Sequence, residues 1–299
     1  LQGQGQIIQA ISYKKRSLDA STRLHGPDHP STLTSRNNLA GAYEAVGDLG
    51  RAIPLYEHAL ADRVRVLGED HPDTFASRNN LASAYQAVGD LGRAIPLYEQ
   101  TLADCVRVLG EDHPSTFTSR NNLASAYQAV GDLGRAIPLY EQTLADRVRV
   151  LGEDHPSTFA SRNNLAYAYQ AVGDLGRAIP LYEQTLADCV RVLGEDHPDT
   201  FASRNNLAYA YQAVGDLGRA VPLYEQTLAD RVRVLGEDHP DTFASRNNLA
   251  GAYEAVGDLG RAIPLYERAL ADCVRILGED HPTTRTVSDN LAYAKSASA

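Results

Sequence analysis

The sequence lacks methionine, has only three cysteines, and contains no long apolar run. No segment approaches the ~18–20 consecutive apolar residues that a membrane-spanning helix needs, so we expect no membrane partner. No signal peptide is visible either. Because the chain of 299 residues begins at Leu1 without a methionine, we expect its natural N-terminus, with any targeting segment, to lie further upstream.

Positive charge and catalytic motifs are also scarce. The formal net charge is −10 and the sequence pI is about 5.4, so we expect no nucleic-acid partner. The sequence has no G-x-x-x-x-G-K-[ST], H-E-x-x-H or G-x-S-x-G motif, which would indicate a phosphate-binding loop, a zinc protease or a serine hydrolase. We therefore predict that the chain is not an enzyme and uses no cofactor.

What the sequence does have is a repeat of 42 residues, marked each time by the tripeptide Asp-His-Pro. The tripeptide ends at Pro30, Pro72, Pro114, Pro156, Pro198, Pro240 and Pro282. The sequence between these marks is nearly copied from one repeat to the next. Self-similarity at a fixed period of this size predicts stacked repeats, in which each unit packs only on its neighbours.

The cysteines fall into one column of this repeat and alternate there with arginine. The column reads Arg63, Cys105, Arg147, Cys189, Arg231 and Cys273. Thiols two repeats apart in a stack lie far beyond the ~7 Å Cα separation that a disulfide allows, and they cannot share a metal ion. We therefore expect free thiols in a reducing cytoplasm. The alternation itself indicates duplication of a two-repeat block.

Each repeat is predicted to begin with one helix, helix A. In residues 71–112, Pro72 suits the first helical position, where its missing N–H is not needed. Apolar or small residues then recur at helical spacing and form a stripe of Phe75, Leu81, Ala82, Tyr85 and Val88. Helix A is therefore expected to bury one face.

A longer second helix, helix B, is predicted after a tight turn. Gly89 stops helix A, Asp90 is a good N-cap for helix B, and Gly110 closes it. Its apolar residues are Leu91, Ala94, Ile95, Leu97, Tyr98, Leu102, Val106 and either Val108 or Leu109. Neither helix can bury its stripe alone, and stacking supplies the partner.

One proline in each helix B conflicts with this pattern. The prolines are Pro54, Pro96, Pro138, Pro180, Pro222 and Pro264, about six residues into the helix. An interior proline costs roughly 3 kcal/mol and clashes with the carbonyl four residues back, which here always belongs to a glycine. We predict a distorted or 3₁₀-like first turn.

These residues resemble the tetratricopeptide repeat (TPR) family. The family pattern W-x₂-L-G-x₂-Y followed by A-x₃-F is matched by Arg78-x₂-Leu81-Ala82-x₂-Tyr85 and then Ala94-x₃-Tyr98. The chain departs from it with arginine at the tryptophan position, Val106 at the terminal proline position, and eight more residues than the usual 34. The 42-residue spacing is similar to that of kinesin light chains and of bacterial repeat arrays fused to signalling ATPases. The resemblance implies an all-α fold, a right-handed superhelical α-solenoid of stacked antiparallel helix pairs.

Three segments are predicted along the chain. Residues 1–28 correspond to helix B of a truncated half repeat, residues 29–280 to six repeats, and residues 281–299 to a C-terminal capping helix. In this last helix Arg285 and Lys295 replace the phenylalanine and tyrosine of the stripe. Polar residues at those positions suit an end cap with no further repeat beyond it.

The resemblance also implies a concave groove lined by helix A, with three columns of residues on its wall. The first column is Asn37, Asn79, Asn121, Asn163, Asn205 and Asn247, with Asp289 in the cap. The second is Gly41, Ser83, Ser125, Tyr167, Tyr209, Gly251 and Tyr293. The third is Glu44, Gln86, Gln128, Gln170, Gln212 and Glu254.

Two interpretations of these columns stay open. Asparagine amides offer donors and an acceptor that can bind the backbone of an extended peptide, and Tyr167 and Tyr209 can anchor a side chain. Alternatively, the asparagines bond neighbouring helices and the changes in the second column are drift.

An arginine column lies on the packing side of helix A. It consists of Arg36, Arg78, Arg120, Arg162, Arg204 and Arg246. A buried guanidinium needs a partner, and our candidate is the glutamate at one position of helix B, for example Glu57 or Glu99. A ligand-binding role of the arginines is the alternative.

The triad Glu69-Asp70-His71 has metal-ligand chemistry, but adjacent residues rarely converge on one ion. We interpret it as loop and cap, and predict no metal.

Three functions are compatible with this interpretation of the sequence. We favour a scaffold that binds an extended segment of another protein in the groove. A sensor arm of a larger signalling ATPase or protease is the alternative, and end-to-end self-association of the repeats is the third hypothesis. No partner is identified by the sequence.

Overall fold

The computed structural model describes residues 2–298, with side chains from residue 9 onward. This part of the chain is built from fourteen helices without a strand: α1 Gln2–His25, α2 Pro30–Glu44, α3 Leu49–Leu67, α4 Pro72–Ala87, α5 Leu91–Leu109, α6 Pro114–Ala129, α7 Leu133–Leu151, α8 Pro156–Ala171, α9 Leu175–Leu193, α10 Pro198–Ala213, α11 Leu217–Leu235, α12 Pro240–Val256, α13 Leu259–Leu277 and α14 Pro282–Ala297. The even-numbered helices are helices A and the odd-numbered ones from α3 are helices B. The predicted segments 1–28 and 281–299 each include a terminal residue outside the described part.

Every helix A begins at a proline that follows a histidine cap. In α4 the Nδ1 atom of His71 accepts a hydrogen bond from the Asp73 N–H at 3.1 Å. The Thr74 hydroxyl donates to the Gly68 carbonyl at 2.8 Å, which ties the helix start to the end of the preceding helix B. The capping role predicted for the Glu69-Asp70-His71 triad is confirmed at His71 by this geometry.

The turn from helix A to helix B uses a glycine and an aspartate. Gly89 has φ +80°, a conformation that L side chains rarely adopt. The Asp90 carboxylate then accepts from the Arg93 N–H at 3.1 Å and caps α5. The predicted boundary is confirmed, and the three-residue connection makes the two helices antiparallel neighbours.

The prediction of a distorted first turn in helix B is wrong. Helix α5 is α-helical from Leu91 to Leu109, with Pro96 inside it. Both Pro96 and Gly92, the residue four positions back, are exposed. Because Pro96 has no N–H to donate to the Gly92 carbonyl, this carbonyl can tilt outward and bind water, and the helix continues through the proline.

Small and aromatic side chains form the core of each helix pair. Phe75, Tyr85 and Ala82 of α4 are buried, as are Ala94 and Tyr98 of α5. Alanine lets neighbouring helices approach closely, and each buried aromatic ring contributes roughly 1.5–3 kcal/mol of transfer free energy. The predicted stripes are confirmed as the packed faces except at Val88, which is 48% exposed.

The chain divides into two compact units, Leu1–Val150 and Leu151–Ala299. In the first unit, each of α1 to α5 contacts the next helix in the chain. In the second unit, α8 to α14 are joined by the same succession of neighbouring contacts, and α12 also touches α14. Each unit is thus a run of stacked helix pairs.

The arginine column forms buried ion pairs, but its predicted partner is wrong. Arg78 Nη1 lies 2.7 Å from Asp104 Oδ2, five residues beyond Glu99 on helix B. The equivalent pairs are Arg36–Asp62, Arg120–Asp146, Arg162–Asp188, Arg204–Asp230 and Arg246–Asp272. The glutamate that we predicted as the partner instead binds a tyrosine of the next helix A. Glu57, for example, accepts a hydrogen bond from the Tyr85 hydroxyl.

The last helix carries the two polar substitutions predicted for a cap. Arg285 is exposed and pairs with Asp280 at 2.9 Å. The Lys295 ammonium lies 2.7 Å from Glu267, the position at which other repeats place a tyrosine hydroxyl. An ion pair therefore replaces the tyrosine–glutamate hydrogen bond at α14.

Candidate functional site

The first predicted column is already engaged between neighbouring helices A. Asn79 Oδ1 accepts from Asn122 Nδ2 at 2.9 Å, with the first asparagine of one repeat bound to the second asparagine of the next. The same bond joins Asn37 to Asn80, Asn163 to Asn206, Asn205 to Asn248 and Asn247 to Asn290. Asn121 is half-buried on α6. The neighbour bonds that one interpretation predicted are therefore present, and they use the acceptor oxygen of the amide.

The second column differs between repeats in how far it projects. Ser83 and Ser125 are half-buried, whereas Tyr167, Tyr209 and Tyr293 are 55%, 56% and 66% exposed. Exposed rings of this size are available to a partner. At Ser83 the column contacts a buried tyrosine of helix B, Tyr98. Burial raises the pKa of Tyr98 to about 12, although its hydrogen bond with Ser83 acts to lower that pKa.

The third column links helix A to its surroundings through side-chain hydrogen bonds. Glu44 accepts from the Tyr56 hydroxyl at 2.6 Å, and Gln170 accepts from the Tyr182 hydroxyl at 3.1 Å. Gln86 Nε2 donates to the Ser125 hydroxyl of the next helix A at 3.3 Å. Gln128 and Gln212 are half-buried at the equivalent positions. The column is therefore polar and partly satisfied by the protein itself.

All three columns meet in one cleft of the second unit. This Gly251 cleft has a volume of about 540 Å³. Its lining includes Asn247, Tyr209, Gly251, Tyr293, Gln212 and Glu254 from helices A, with Tyr224 and Tyr266 of helices B also contributing. A Cβ atom at Gly251 would lie 3.3 Å from the Tyr266 hydroxyl, so this hydroxyl packs closely against the backbone where the column has no side chain.

A second cleft forms at the other glycine of the column, in the first unit. This Gly41 cleft measures about 470 Å³ and is lined by Asn37, Gly41, Tyr56, Ile11 and Lys14 among others. A Cβ atom at Gly41 would also lie 3.3 Å from a tyrosine hydroxyl, that of Tyr56. The glycines in the second column therefore have a structural consequence that the sequence pattern did not reveal.

Two smaller pockets lie between successive helices A, above the cysteines. The Cys105 pocket, about 270 Å³, is lined by Asn79 of α4, Cys105 of α5, and Ser115 and Ser119 of α6. The Cys189 pocket, about 190 Å³, has Asn163, Cys189, Asp199 and Ser203 in its lining. Burial raises the pKa of both thiols, which keeps them protonated. Sequence reasoning missed these pockets; the alternation of cysteine with arginine was the available signal.

Among residues 2–298, no helix is both long and apolar enough to cross a membrane. No group of three or more histidine, cysteine, aspartate or glutamate side chains within that range is placed to hold a metal ion.

Comparison with known families gives one match over the whole chain. The sequence profile of the tetratricopeptide repeat matches residues 1–63, 36–104, 73–147, 131–188, 157–231, 199–273 and 241–298. No curated protein sequence matches the chain.

Solved structures similar to this chain come from repeat proteins. One holds nearly identical TPR-like repeats of Podosopora anserina, described as those of a kinesin light chain, with 40% identity over 69% of this chain and 97% of that one, at a TM-score of 0.61. Another is BtubC (BKLC) from P. vanneervenii, with 22% identity over 92% and 94% of the two chains and a TM-score of 0.59.

A third similar structure is a signal transduction ATPase with numerous domains and a tetratricopeptide repeat sensor, from Pyrococcus horikoshii. It shares 15% identity with this chain, over 89% of this chain and 39% of that one, at a TM-score of 0.68. With the helix pairs described above, these likenesses confirm the predicted all-α solenoid fold and the resemblance to kinesin light chain repeats.

Proposed function

The chain belongs to the tetratricopeptide repeat family, whose repeats are protein-interaction scaffolds, and from that premise we propose that it binds an extended segment of a partner protein along helices A. From the resemblance, we expect this face to line the concave groove of the array. The observation that carries the proposal is the Gly251 cleft, because it brings all three columns of the predicted groove wall together.

The chemistry of the cleft suits an extended backbone. Asn247 uses its Oδ1 atom to accept from Asn290, which leaves its amide N–H₂ group to donate to a peptide carbonyl. Tyr209 and Tyr293 stand exposed on either side of Gly251 in the second column. Large, rigid rings of this kind anchor partner side chains at small cost in conformational entropy.

The first test uses the near-identity of two helices A. Helices α10 and α12 have the same sequence over residues 198–213 and 240–255 except at two positions, where α12 has Gly251 and Glu254 instead of tyrosine and glutamine. A variant with Gly251→Tyr and Glu254→Gln therefore fills the cleft with a sequence that already folds in this chain. We expect peptides selected from a display library on the unaltered protein to bind this variant at least tenfold more weakly.

A second variant tests the asparagine donors without removing their structural bond. Changing Asn163, Asn205 and Asn247 to aspartate keeps an oxygen that accepts from the neighbouring asparagine, but removes the N–H₂ donor. Selected peptides should lose affinity, while the thermal unfolding midpoint should change little. Unaltered peptide affinity in both variants would contradict binding along helices A.

Three further assignments do not depend on the Gly251 cleft. The three thiols are free and buried, which supports a reducing compartment such as the cytoplasm. A sensor arm and an end-to-end array remain predictions. A nucleotide-binding motif elsewhere in the full gene would favour the sensor, and a mass that rises with concentration in light scattering would favour the array.

A further inference from the structure

The column in which arginine and cysteine alternate shows which chemical group fits between helix B and the next helix A. Arg63 rises from α3 and is only 5% exposed. Its Nη1 atom donates to the Asp73 carbonyl at 2.9 Å and to the Ser77 hydroxyl at 2.7 Å, both on α4. Arg231 makes the same two bonds to Asp241 and Ser245, at 3.1 and 2.7 Å. In these two repeats the protein itself therefore places a guanidinium group at this position.

In the repeats with cysteine, the acceptors remain but the guanidinium is gone. Ser119 and Ser203 are buried at the positions equivalent to Ser77, and their hydroxyls lie 3.6 and 3.5 Å from the Cys105 and Cys189 sulfur atoms. A thiol is a weak hydrogen-bonding group that satisfies a buried hydroxyl poorly. The shorter side chain also leaves space, since a pocket lies above each of these two cysteines.

We propose that the Cys105 and Cys189 pockets each receive the guanidinium group of an arginine on the bound partner segment. This rests on the proposed function, because Asn79 and Asn163 of the helix A face line the same two pockets. The entering group takes the place that Arg63 and Arg231 occupy in their own repeats. It donates to the serine hydroxyl and to the carbonyl at the first turn of helix A.

Arginine fits this place better than lysine because its delocalised charge is more weakly hydrated. In Arg63 and Arg231 the Nη1 atom alone binds both acceptors, the hydroxyl and the carbonyl. An ammonium is a compact, strongly hydrated charge and is costlier to bury against two neutral acceptors.

The two pockets are expected to differ in affinity. Asp199 lines the Cys189 pocket, whereas Ser115 stands at the equivalent position in the Cys105 pocket. A nearby carboxylate favours a bound cation. The Cys189 pocket should therefore bind a guanidinium more tightly.

The third cysteine provides an internal contrast. Cys273 faces Val287 instead of a serine, and packs in an apolar cluster with Phe243 and Ala269. This place offers no hydroxyl acceptor, so we assign it no guanidinium site.

The experiment uses N-acetyl-arginine methylamide as the probe, with the citrulline and lysine equivalents as controls. Binding is followed by saturation-transfer NMR and titration on the full chain. We expect the arginine probe to bind at least tenfold more tightly than the neutral citrulline probe, and more tightly than the lysine probe. Equal binding of all three, or no binding of the arginine probe, would overturn the proposal.

The matched variant fills both pockets with the side chain of the alternate repeats. Cys105→Arg with Cys189→Arg recreates a column that Arg63 and Arg231 already tolerate, and should abolish binding of the probe. Cys105→Ser with Cys189→Ser keeps the pockets open and should retain it, while Ser119→Ala with Ser203→Ala should weaken it severalfold. Undiminished binding in the arginine variant would overturn the proposal.

Failure here is distinguishable from failure of the proposed function. If library peptides depend on the Gly251 cleft but their arginines can be replaced without loss, helices A bind a partner and these pockets do not take guanidinium. If the probe binds but no peptide depends on the cleft, the pockets take guanidinium as proposed, and the proposed binding of a partner segment along helices A is wrong.

Discussion

At the scale of single residues, the buried arginines of helix A hold charge inside the protein. Arg120 is 3% exposed and pairs with Asp146 at 2.7 Å. Asp146 is bound a second time by Arg149, at 3.0 Å, but the Arg149 side chain is 54% exposed. One carboxylate thus joins a buried and an exposed guanidinium, which allows the effect of burial to be measured on a single partner.

We expect Arg120→Leu to destabilise the protein by about 2 kcal/mol or more, because it removes the buried member of the ion pair and leaves the Asp146 carboxylate with its exposed partner alone. Arg149→Leu is the matched control and should have a much smaller effect, since exposed pairs contribute little. Urea unfolding followed by circular dichroism measures both. Equal losses from the two substitutions would show that the pair to Arg120 is no more important than the exposed one.

At the scale of helices, the interior proline of helix B is compatible with an unbroken α-helix. Pro96 lies inside α5 and cannot donate a backbone hydrogen bond to Gly92. Pro72, by contrast, starts α4 at a position where no such donor is needed. The same residue type therefore has opposite consequences in the two helices of one repeat.

Pro96→Ala should stabilise the protein by about 1–2 kcal/mol. It removes an interior-proline cost of roughly 3 kcal/mol and gives back about 1 kcal/mol of unfolded-chain entropy. Pro72→Ala should instead leave stability unchanged or slightly lower it. A loss of stability in the Pro96 variant, measured by thermal unfolding, would mean that packing of the proline ring outweighs the missing hydrogen bond.

At the scale of the whole chain, the loop aspartates form a recurring set of exposed ion pairs. They are Asp28–Arg65, Asp70–Arg107, Asp112–Arg149, Asp154–Arg191, Asp196–Arg233 and Asp238–Arg275. The hydrogen bond from Arg107 holds the pKa of Asp70 below its ordinary value of 3.8. The pKa of each of the other loop aspartates is lowered in the same way by its arginine partner. Each pair is weak, but its effect is repeated.

Since these carboxylates have a lowered pKa in the folded chain, the unfolded chain binds more protons in acid. The ordinary pKa of these aspartates is 3.8, and their contribution to stability should be fully present well above that pH. It should be lost as the pH falls through the lowered pKa values that the aspartates have in the folded protein. At neutral pH, 1 M salt should also lower the urea midpoint by screening the exposed pairs. A midpoint that is constant across both series would contradict the ion pairs.

Much of the fold could be predicted because its determinants are local. His71, Pro72, Gly89 and Asp90 define helix ends through capping and backbone conformation, which need no knowledge of tertiary packing. The partner of Arg78 could not be predicted, because Glu99 and Asp104 lie on the same helix and only the rotation of that helix selects between them.

The candidate site was predictable only in part. Its columns followed from the resemblance to the TPR family, whereas the clefts depend on how the side chains around them pack. Gly251 is half-buried, and no sequence pattern shows that the Tyr266 hydroxyl packs against it at the wall of a cleft. The Cys105 pocket is likewise a consequence of side-chain length in a packed layer.

The most direct measurement compares partner binding by two triple variants that remove exposed apolar surface from different helices. Tyr167, Tyr209 and Tyr293 of helices A are changed to alanine in one, and Val108, Val192 and Val234 of helices B, which are 39–41% exposed, in the other. Binding along helices A predicts that library-selected peptides lose at least tenfold in affinity for the tyrosine variant and keep their affinity for the valine variant. Undiminished binding to the tyrosine variant, or an equal loss in both, would contradict it.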